Sequence, residues 1–204
     1  MSLRCKLTYF RAMGLAEPIR YILAYGKADF EDCRVDYENF HQIKSKMPMG
    51  QLPVVDFEGK KLFQSIAICR FFAKKFSLVG NTDNHELECD MIVDTITDFR
   101  LHFRDLHFCE DPELKLKKKE ILLSETAPFY LSRFQSVVNE NGGFFVGAQL
   151  TWSDLYFAGI LCFMESLLKM NLLEGYSYLE CLREKVNNLD GVKEWISSRP
   201  KTDL

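Results

Sequence analysis

The pattern of apolar residues changes near Ser77, and this change limits the folds open to the chain. Before Ser77, short β-prone runs alternate with segments whose apolar residues recur at three- and four-residue spacing. After Asn81 the spacing is helical throughout. An α/β unit followed by an all-helical unit fits this order, with a polar, glycine-containing linker between them. We therefore predict an N-terminal domain at residues 1–77, a linker at 78–84 and a helical domain at 85–204.

The N-terminal domain is predicted to contain a small mixed sheet. Its four β-prone runs lie at residues 6–10, 31–36, 52–57 and 61–63. Helical spacing covers 16–25 and 65–76, and a short helix or turn is expected at 39–45. The pair Glu58 and Gly59 is typical of a hairpin turn between the third and fourth strands. The order is βαβ followed by ββα.

The helical domain is predicted to surround one buried helix. Helices are expected at 85–108 and from 111 to about 138, the second bent at Pro128. Thr151 and Asp154 form a capping box ahead of a segment, ending at Leu168, that is apolar on most faces. Such a helix belongs in the centre of a domain. Two shorter helices are expected at 178–188 and 191–198.

Charge and motif content exclude several classes of function. The chain has 26 Lys and Arg against 29 Asp and Glu, which argues against binding nucleic acid or an anionic membrane. The seven cysteines include no Cys-x-x-Cys pair, and the four histidines show no ligand spacing, so no metal site is predicted. We find no apolar run that could span a bilayer and no secretory signal, and we expect a reducing, cytoplasmic location.

Six motifs in a fixed order carry a resemblance to a known family. They are LTYF at 7–10, AEPIR at 16–20, MGQLPV at 49–54, QSIAI at 64–68, LTWSD at 150–154 and RPKTDL at 199–204. Over its whole length the chain resembles the sigma class of cytosolic glutathione S-transferases, particularly insect members. The class is related to the glutathione-dependent prostaglandin D synthases. The resemblance implies a thioredoxin-like domain followed by an all-helical domain, the glutathione transferase fold.

The resemblance makes Tyr9 the catalytic residue, through a hydrogen bond from its hydroxyl to the glutathione sulfur. A free thiol has a pKa of about 8.5, so little thiolate exists at neutral pH. A donor directed at the sulfur favours the thiolate, because a charge-assisted hydrogen bond is stronger than a neutral one. Taken alone, a tyrosine at a strand end would be read as a packing residue.

The remaining glutathione contacts also come from the resemblance. The residues are Phe40, Lys44, Gly50, Gln51, Leu52, Pro53, Gln64 and Ser65. The family's proline at the Pro53 position is cis and turns the preceding backbone toward glutathione. Ser65, which by its position alone would be a helix N-cap, is expected to hold the γ-glutamyl carboxylate.

Phe40 departs from the family pattern, which usually has Trp there as a donor to the glycyl carboxylate that Lys44 also meets. Phe has no N–H to donate, so we expect glutathione binding to be weaker by ~1 kcal/mol unless His41 or another donor compensates.

A second subunit is implied by Asp98, which in the family reaches the γ-glutamyl ammonium of the partner. A homodimer would then be needed for function. Thr97 stands where the vertebrate synthases carry an acid tied to divalent-cation binding, so no metal is expected here. No tightly bound cofactor is expected, since glutathione is the co-substrate.

The position of the electrophile pocket is likewise implied by the resemblance. Its residues would be Phe10, Met13, Leu15, Tyr156, Ile160 and Leu204. The vertebrate synthases have Arg at the Leu15 position and Trp at the Asp105 position, which argues against prostaglandin D₂ synthesis. An apolar pocket fits aromatic or lipid-derived electrophiles such as unsaturated aldehydes.

The predicted function is therefore conjugation of glutathione to hydrophobic electrophiles, in detoxification. Three alternatives stay open. They are a glutathione-dependent isomerase or peroxidase acting on lipids, a non-catalytic protein that binds hydrophobic ligands, and a structural protein like the lens crystallins derived from this class.

Overall fold

Four strands form one mixed sheet in the N-terminal part of the chain. The computed structural model describes residues 3–202. Its strands are β1 (Arg4–Phe10), β2 (Asp29–Val35), β3 (Val54–Phe57) and β4 (Lys60–Phe63). The sheet order is β2-β1-β3-β4, with β1 parallel to β2 and antiparallel to β3. Glu58 and Gly59 both have positive φ and form the tight turn between β3 and β4, as the sequence predicts.

Three helices accompany the sheet. Helix α1 (Glu17–Tyr25) connects β1 to β2, α2 (Phe40–Ile43) is a short helix between two 3₁₀ turns, and α3 (Ser65–Lys75) follows β4. The 3₁₀ turn Gly14–Ala16 leads into α1. Together with the sheet they make the βαβ-ββα arrangement that the sequence predicts.

Six further helices complete the described chain. They are α4 (Asp83–His107), α5 (Pro112–Ile121), α6 (Ala127–Glu140), α7 (Trp152–Leu168), α8 (Ser177–Asn187) and α9 (Val192–Ser198). The sequence predicts one bent helix where α5 and α6 stand. The two are joined by a π-helical segment, Leu122–Thr126. Pro128 explains the interruption, because a proline inside a helix lacks an N–H and crowds the carbonyl four residues earlier.

Helix α7 lies at the centre of the core. Every residue from Trp152 to Leu161 is buried, and α7 packs against both α1 and α4. At Gly159 a Cβ would stand 2.9 Å from the backbone of Pro18, so this close approach of α7 to α1 needs glycine. One apolar cluster runs through both halves of the chain. The domain limits near residues 77 and 85 therefore stay a prediction.

A buried charge network ties the last helix to the first. Glu17 is fully buried and accepts hydrogen bonds from Arg20, from the indole N–H of Trp195 and from Arg199. Arg20 also donates to Asp32 on β2, at 2.9 Å. A buried carboxylate is stable only when paired in this way, so Glu17 holds α9 against α1. Among residues 3–202, no helix is long and apolar enough to cross a membrane.

Candidate active site

Tyr9 stands at the end of β1 with its hydroxyl held from one side. The N–H of Leu15 donates to Tyr9 Oη at 3.2 Å, and a Cβ on Gly14 would lie 2.6 Å from the same oxygen. Burial raises the pKa of Tyr9 above its usual value, against the opposing effects of Leu15, Arg20 and Arg100. The hydroxyl is therefore protonated at neutral pH. Its own proton has no acceptor within the described part of the chain.

A turn before β3 brings backbone donors and acceptors to the same place. The Leu52–Pro53 peptide bond is cis, as the resemblance implies. Gly50, with φ of 59°, precedes it, and the side chain of Gln51 is exposed. The backbone of Leu52 makes no hydrogen bond to any other residue between 3 and 202. This segment can therefore pair with an extended peptide, as an edge strand does.

The start of α3 differs from the sequence prediction. Gln64, not Ser65, occupies the N-cap position, and Ser65 is the first helical residue. Gln64 has φ of 70°, which a residue with a Cβ rarely adopts. No side chain caps α3, so the first N–H groups of the helix are open to an anion.

Phe40 and Lys44 lie on the segment that faces the Leu52 turn. The Phe40 ring packs edge-on against Phe10, with ring centroids 5.2 Å apart. The side chain of Lys44 passes beside Gly50 and forms no ion pair with a described residue. An aromatic wall and a free ammonium group thus stand close to the same turn.

Two adjoining cavities run along these elements. The smaller, of about 70 Å³, is lined by Leu15, Met49, Gln51, Leu52, Pro53, Phe63, Gln64 and Ser65. The larger, of about 470 Å³, is lined on this side by Tyr9, Phe10, Leu15, Phe40, Gly50, Gln51 and Leu52. Leu15, Gln51 and Leu52 border both. The structure therefore brings together every residue predicted for the glutathione site on this subunit except Lys44, which lies beside Gly50.

The residues predicted for the electrophile pocket divide into two groups. Phe10, Leu15 and Ile160 line the larger cavity. Met13 and Tyr156 are buried and do not line it. Leu204 lies outside the described residues.

The hydroxyl of Tyr156 is engaged inside the protein. It lies 3.1 Å from Thr97 Oγ1, and the Thr97 hydroxyl donates to the carbonyl of Val93. Because Thr97 has one proton to give, Tyr156 donates to Thr97. Burial raises the pKa of Tyr156 to about 12, so it too stays protonated.

One wall of the larger cavity was missed from the sequence. It consists of Arg100, Arg104 and His107 on α4, Phe108 directly after α4, and Phe163 on α7. Residues 100, 104 and 107 recur at four- and three-residue spacing, so they share one helix face. That spacing is the signal in the sequence, but charged residues at such spacing more often form a solvated helix face.

Asp98 lies away from both cavities. It is exposed on α4 and forms no hydrogen bond or ion pair with a described residue. The exposed residues Leu87, Met91 and Asp94 precede it at helical spacing. Asp98 thus shares one face of α4 with two exposed apolar side chains.

Comparison with known proteins identifies the family. Residues 5–74 match the model for the glutathione S-transferase N-terminal domain, and residues 97–199 match a model for the C-terminal domain. Glutathione S-transferase S1 of Drosophila melanogaster is 42% identical over 97% of this chain and 80% of its own. The chain belongs to the glutathione S-transferase family.

Other members of this family support the same assignment. The hematopoietic prostaglandin D synthase of Homo sapiens is 36% identical over 98% of both chains. The solved structure of prostaglandin synthase D of Nilaparvata lugens superposes with a TM-score of 0.94 at 40% identity, covering 98% of this chain and 100% of that one. The protein is thus an enzyme of the glutathione transferase family, with the thioredoxin-like and helical parts of that fold.

Proposed function

We propose that Tyr9 stabilises the thiolate of bound glutathione and that the larger cavity holds the electrophile that this thiolate attacks. The proposal rests mainly on the burial and hydrogen bonding of the Tyr9 hydroxyl. This hydroxyl is buried and protonated, and its own proton lacks an acceptor among the described residues. Leu15, whose N–H holds this hydroxyl in place, borders both cavities.

The energy needed is within reach of one such donor. Lowering the thiol pKa by ~2 units takes about 2.7 kcal/mol of differential stabilisation. A hydrogen bond to a charged group contributes about 1.5–3 kcal/mol. Since the Leu15 N–H already fixes the phenol oxygen, little reorganisation is needed when the sulfur arrives.

The rest of glutathione is assigned to the smaller cavity and the turn beside it. Leu52 would pair with the cysteinyl backbone, and Gln64, Ser65 and the open start of α3 would hold the γ-glutamyl carboxylate. Lys44 would meet the glycyl carboxylate. Phe40 supplies an aromatic wall but no N–H, so we still expect the loss of about 1 kcal/mol of binding free energy.

The chemical step is an addition or substitution by the thiolate. With an unsaturated carbonyl compound, the sulfur bonds to the β-carbon and the π electrons move to the carbonyl oxygen. The α-carbon then takes up a proton equivalent to the one the thiol released. Holding both reactants in adjoining cavities supplies proximity, and no metal or tightly bound cofactor enters the step.

The working unit is proposed to be a cytoplasmic homodimer that detoxifies small hydrophobic electrophiles, without nucleic-acid or membrane partners. Leu87 and Met91 are 59% and 58% exposed on the face of α4 that carries Asp98. Covering this face with a second copy would bury both side chains and direct Asp98 at the partner's glutathione.

Mixing two inactive variants tests the shared site. If Asp98 acts across the interface, a dimer of a Tyr9→Phe subunit and an Asp98→Ala subunit has one intact site. After random exchange, about a quarter of wild-type activity should return. No recovery, despite confirmed exchange of subunits, would place Asp98 in its own subunit's site. An active Asp98→Ala homodimer would place Asp98 outside function.

A glutathione-dependent isomerase or peroxidase acting on lipids remains the second candidate, since two of the compared proteins are named prostaglandin synthases. An isomerase and a peroxidase would both use the same thiolate, so only the reaction products distinguish them from a transferase. A ligand-binding or structural protein would instead leave the thiol unactivated.

The deciding experiment is a pH titration of the ultraviolet absorbance of bound glutathione thiolate. We expect a thiol pKa well below that of free glutathione in the wild type, and a return toward the free value in Tyr9→Phe. Tyr37→Phe is the matched control, because Tyr37 lines the same cavity but is 76% exposed. An unshifted wild-type pKa, or the same loss in both variants, would refute the role of Tyr9.

A further inference from the structure

We infer that the larger cavity selects electrophiles that carry a carboxylate, and that Arg100 binds this group. The inference rests on the proposed function and adds a substrate class to it. Arg100 would be a specificity-determining residue, acting on a part of the electrophile away from the reacting carbon.

Arg100 is a buried cation without a counter-charge. It lies on α4 with 9% of its surface exposed and lines the same cavity as Tyr9. Its Nε is buried without a hydrogen-bond partner, and its guanidinium makes no ion pair or hydrogen bond with any residue in 3–202. Leaving such a group unpaired is costly, so a site that retains it is suited to a ligand that pairs with it.

No other described residue of the cavity neutralises this charge. The lining contains no Asp or Glu in the described chain. Arg104, one turn along α4, is paired with Asp105 at 2.7 Å and is half exposed at the rim. The groups that face Arg100 from the neighbouring elements are the phenols Tyr9 and Tyr156, both of which stay neutral.

Much of the remaining cavity lining is apolar. It includes Phe10, Leu15, Ile160 and Phe163. A ligand that fits both Arg100 and these side chains has an apolar body and one anionic end. A carboxylate suits a guanidinium, since the two planar groups can form paired hydrogen bonds.

Arg100 could instead stabilise the glutathione thiolate, given that it shares the cavity with Tyr9. The two roles differ in what they change. A thiolate role would alter the thiol pKa and slow every electrophile alike. A carboxylate role would leave the thiol pKa in place and slow only anionic electrophiles.

The test compares 4-(3-oxobut-1-enyl)benzoate with its methyl ester, each kcat/KM being divided by the rate of the uncatalysed reaction. We expect the wild type to prefer the carboxylate at least tenfold, Arg100→Met to lose this preference, and Arg100→Lys to keep part of it. Arg104→Met is the matched control, because Arg104 lines the same wall but is already paired. The preference of Arg104→Met for the carboxylate over the ester should differ from that of the wild type by less than threefold.

The possible outcomes test the carboxylate site and the proposed function separately. Conjugation of neither compound by the wild type would refute the proposed function. Equal preference in the wild type and Arg100→Met would refute the carboxylate site alone. A raised thiol pKa with equal loss on both compounds would assign Arg100 to the thiolate and also overturn the inference. Turnover of the ester shows that each variant is folded.

One measurement needs no variant. The wild type should be inhibited, competitively with the electrophile, at least tenfold more strongly by cinnamate than by cinnamamide. Equal inhibition by the two compounds would count against a carboxylate site.

Discussion

Replacing Asp154 by Ala should cost the protein about 3 kcal/mol of unfolding free energy, more than an ordinary helix cap. Asp154 is fully buried at the start of α7. Its carboxylate accepts hydrogen bonds from the N–H of Phe145 at 2.9 Å, the N–H of Thr151 at 2.7 Å and the Thr151 hydroxyl at 3.0 Å. It therefore fixes both the start of α7 and the turn-containing segment before it, at Phe145.

The size of this loss in unfolding free energy follows from the buried donors that the substitution leaves without an acceptor. Alanine orphans two buried backbone N–H groups, and each orphaned buried donor costs about 1–3 kcal/mol. The Thr151 hydroxyl keeps a partner, Ser153 Oγ at 2.7 Å, and adds little. Part of the loss is offset because a carboxylate no longer has to be buried, which brings the sum to about 3 kcal/mol. The melting temperature should fall by about 6–12 °C.

Asp111→Ala is the matched control. Asp111 also caps a helix, accepting from the N–H groups of Glu113 and Leu114 at 2.9 and 3.1 Å, but it is exposed. Water can replace its oxygen, so the expected cost is about 1 kcal/mol.

The assay is urea unfolding followed by tryptophan fluorescence, to which the buried Trp152 and the partly buried Trp195 both contribute. All variants are measured at one protein concentration, because a dimer's stability depends on concentration. Equal losses for the two aspartates would refute the argument from buried, unpaired donors.

Gly14→Ala should remove most activity and Gly59→Ala should not, as compared by kcat/KM. Both glycines have positive φ, but only at Gly14 would a Cβ meet the Tyr9 hydroxyl, whereas nothing lies within 4 Å at Gly59. Because burial raises the pKa of Tyr9, the conjugation rate, corrected for the uncatalysed reaction, should rise through the thiol pKa and stay level to about pH 9.5. A fall below that pH would show that Tyr9 ionises earlier. Glu17→Gln should cost about 3–5 kcal/mol in urea unfolding, since Arg199 loses its counter-charge and Arg20 keeps only Asp32, and should expose Trp195 to acrylamide quenching.

Apolar periodicity predicts the strands and helices well, because each element buries one face. It starts β1 and β2 two residues too late. Two further errors lie at positions where backbone geometry decides. Strand β3 begins at Val54 rather than at residue 52, because Pro53 has no N–H to offer a neighbouring strand. The helix predicted to run from 111 to about 138 is divided by a π-helical segment next to Pro128. A proline in a helix predicts a bend but not the form that the bend takes.

The residues of the candidate site also differ in whether the sequence predicts them. Tyr9, Leu52 and Ser65 were predicted from motifs that occupy fixed places in the N-terminal part. Arg100 and Phe163 were not, because their place in the cavity depends on how α4 and α7 are rotated about their axes. That rotation follows from packing between helices distant in sequence, such as the contact of Gly159 with Pro18. No local sequence motif specifies this rotation of α4 and α7.

This difference bears on how the substrate range can change. The proposed glutathione side depends on unusual backbone, including the positive φ of Gly14, Gly50 and Gln64, which few substitutions preserve. The proposed electrophile side also includes Arg100 and Phe163 on regular helices, where a residue can be exchanged without moving the backbone. Substitution at Arg100 or Phe163 should therefore alter the preference among electrophiles while the KM for glutathione stays within about threefold, a change of less than 1 kcal/mol.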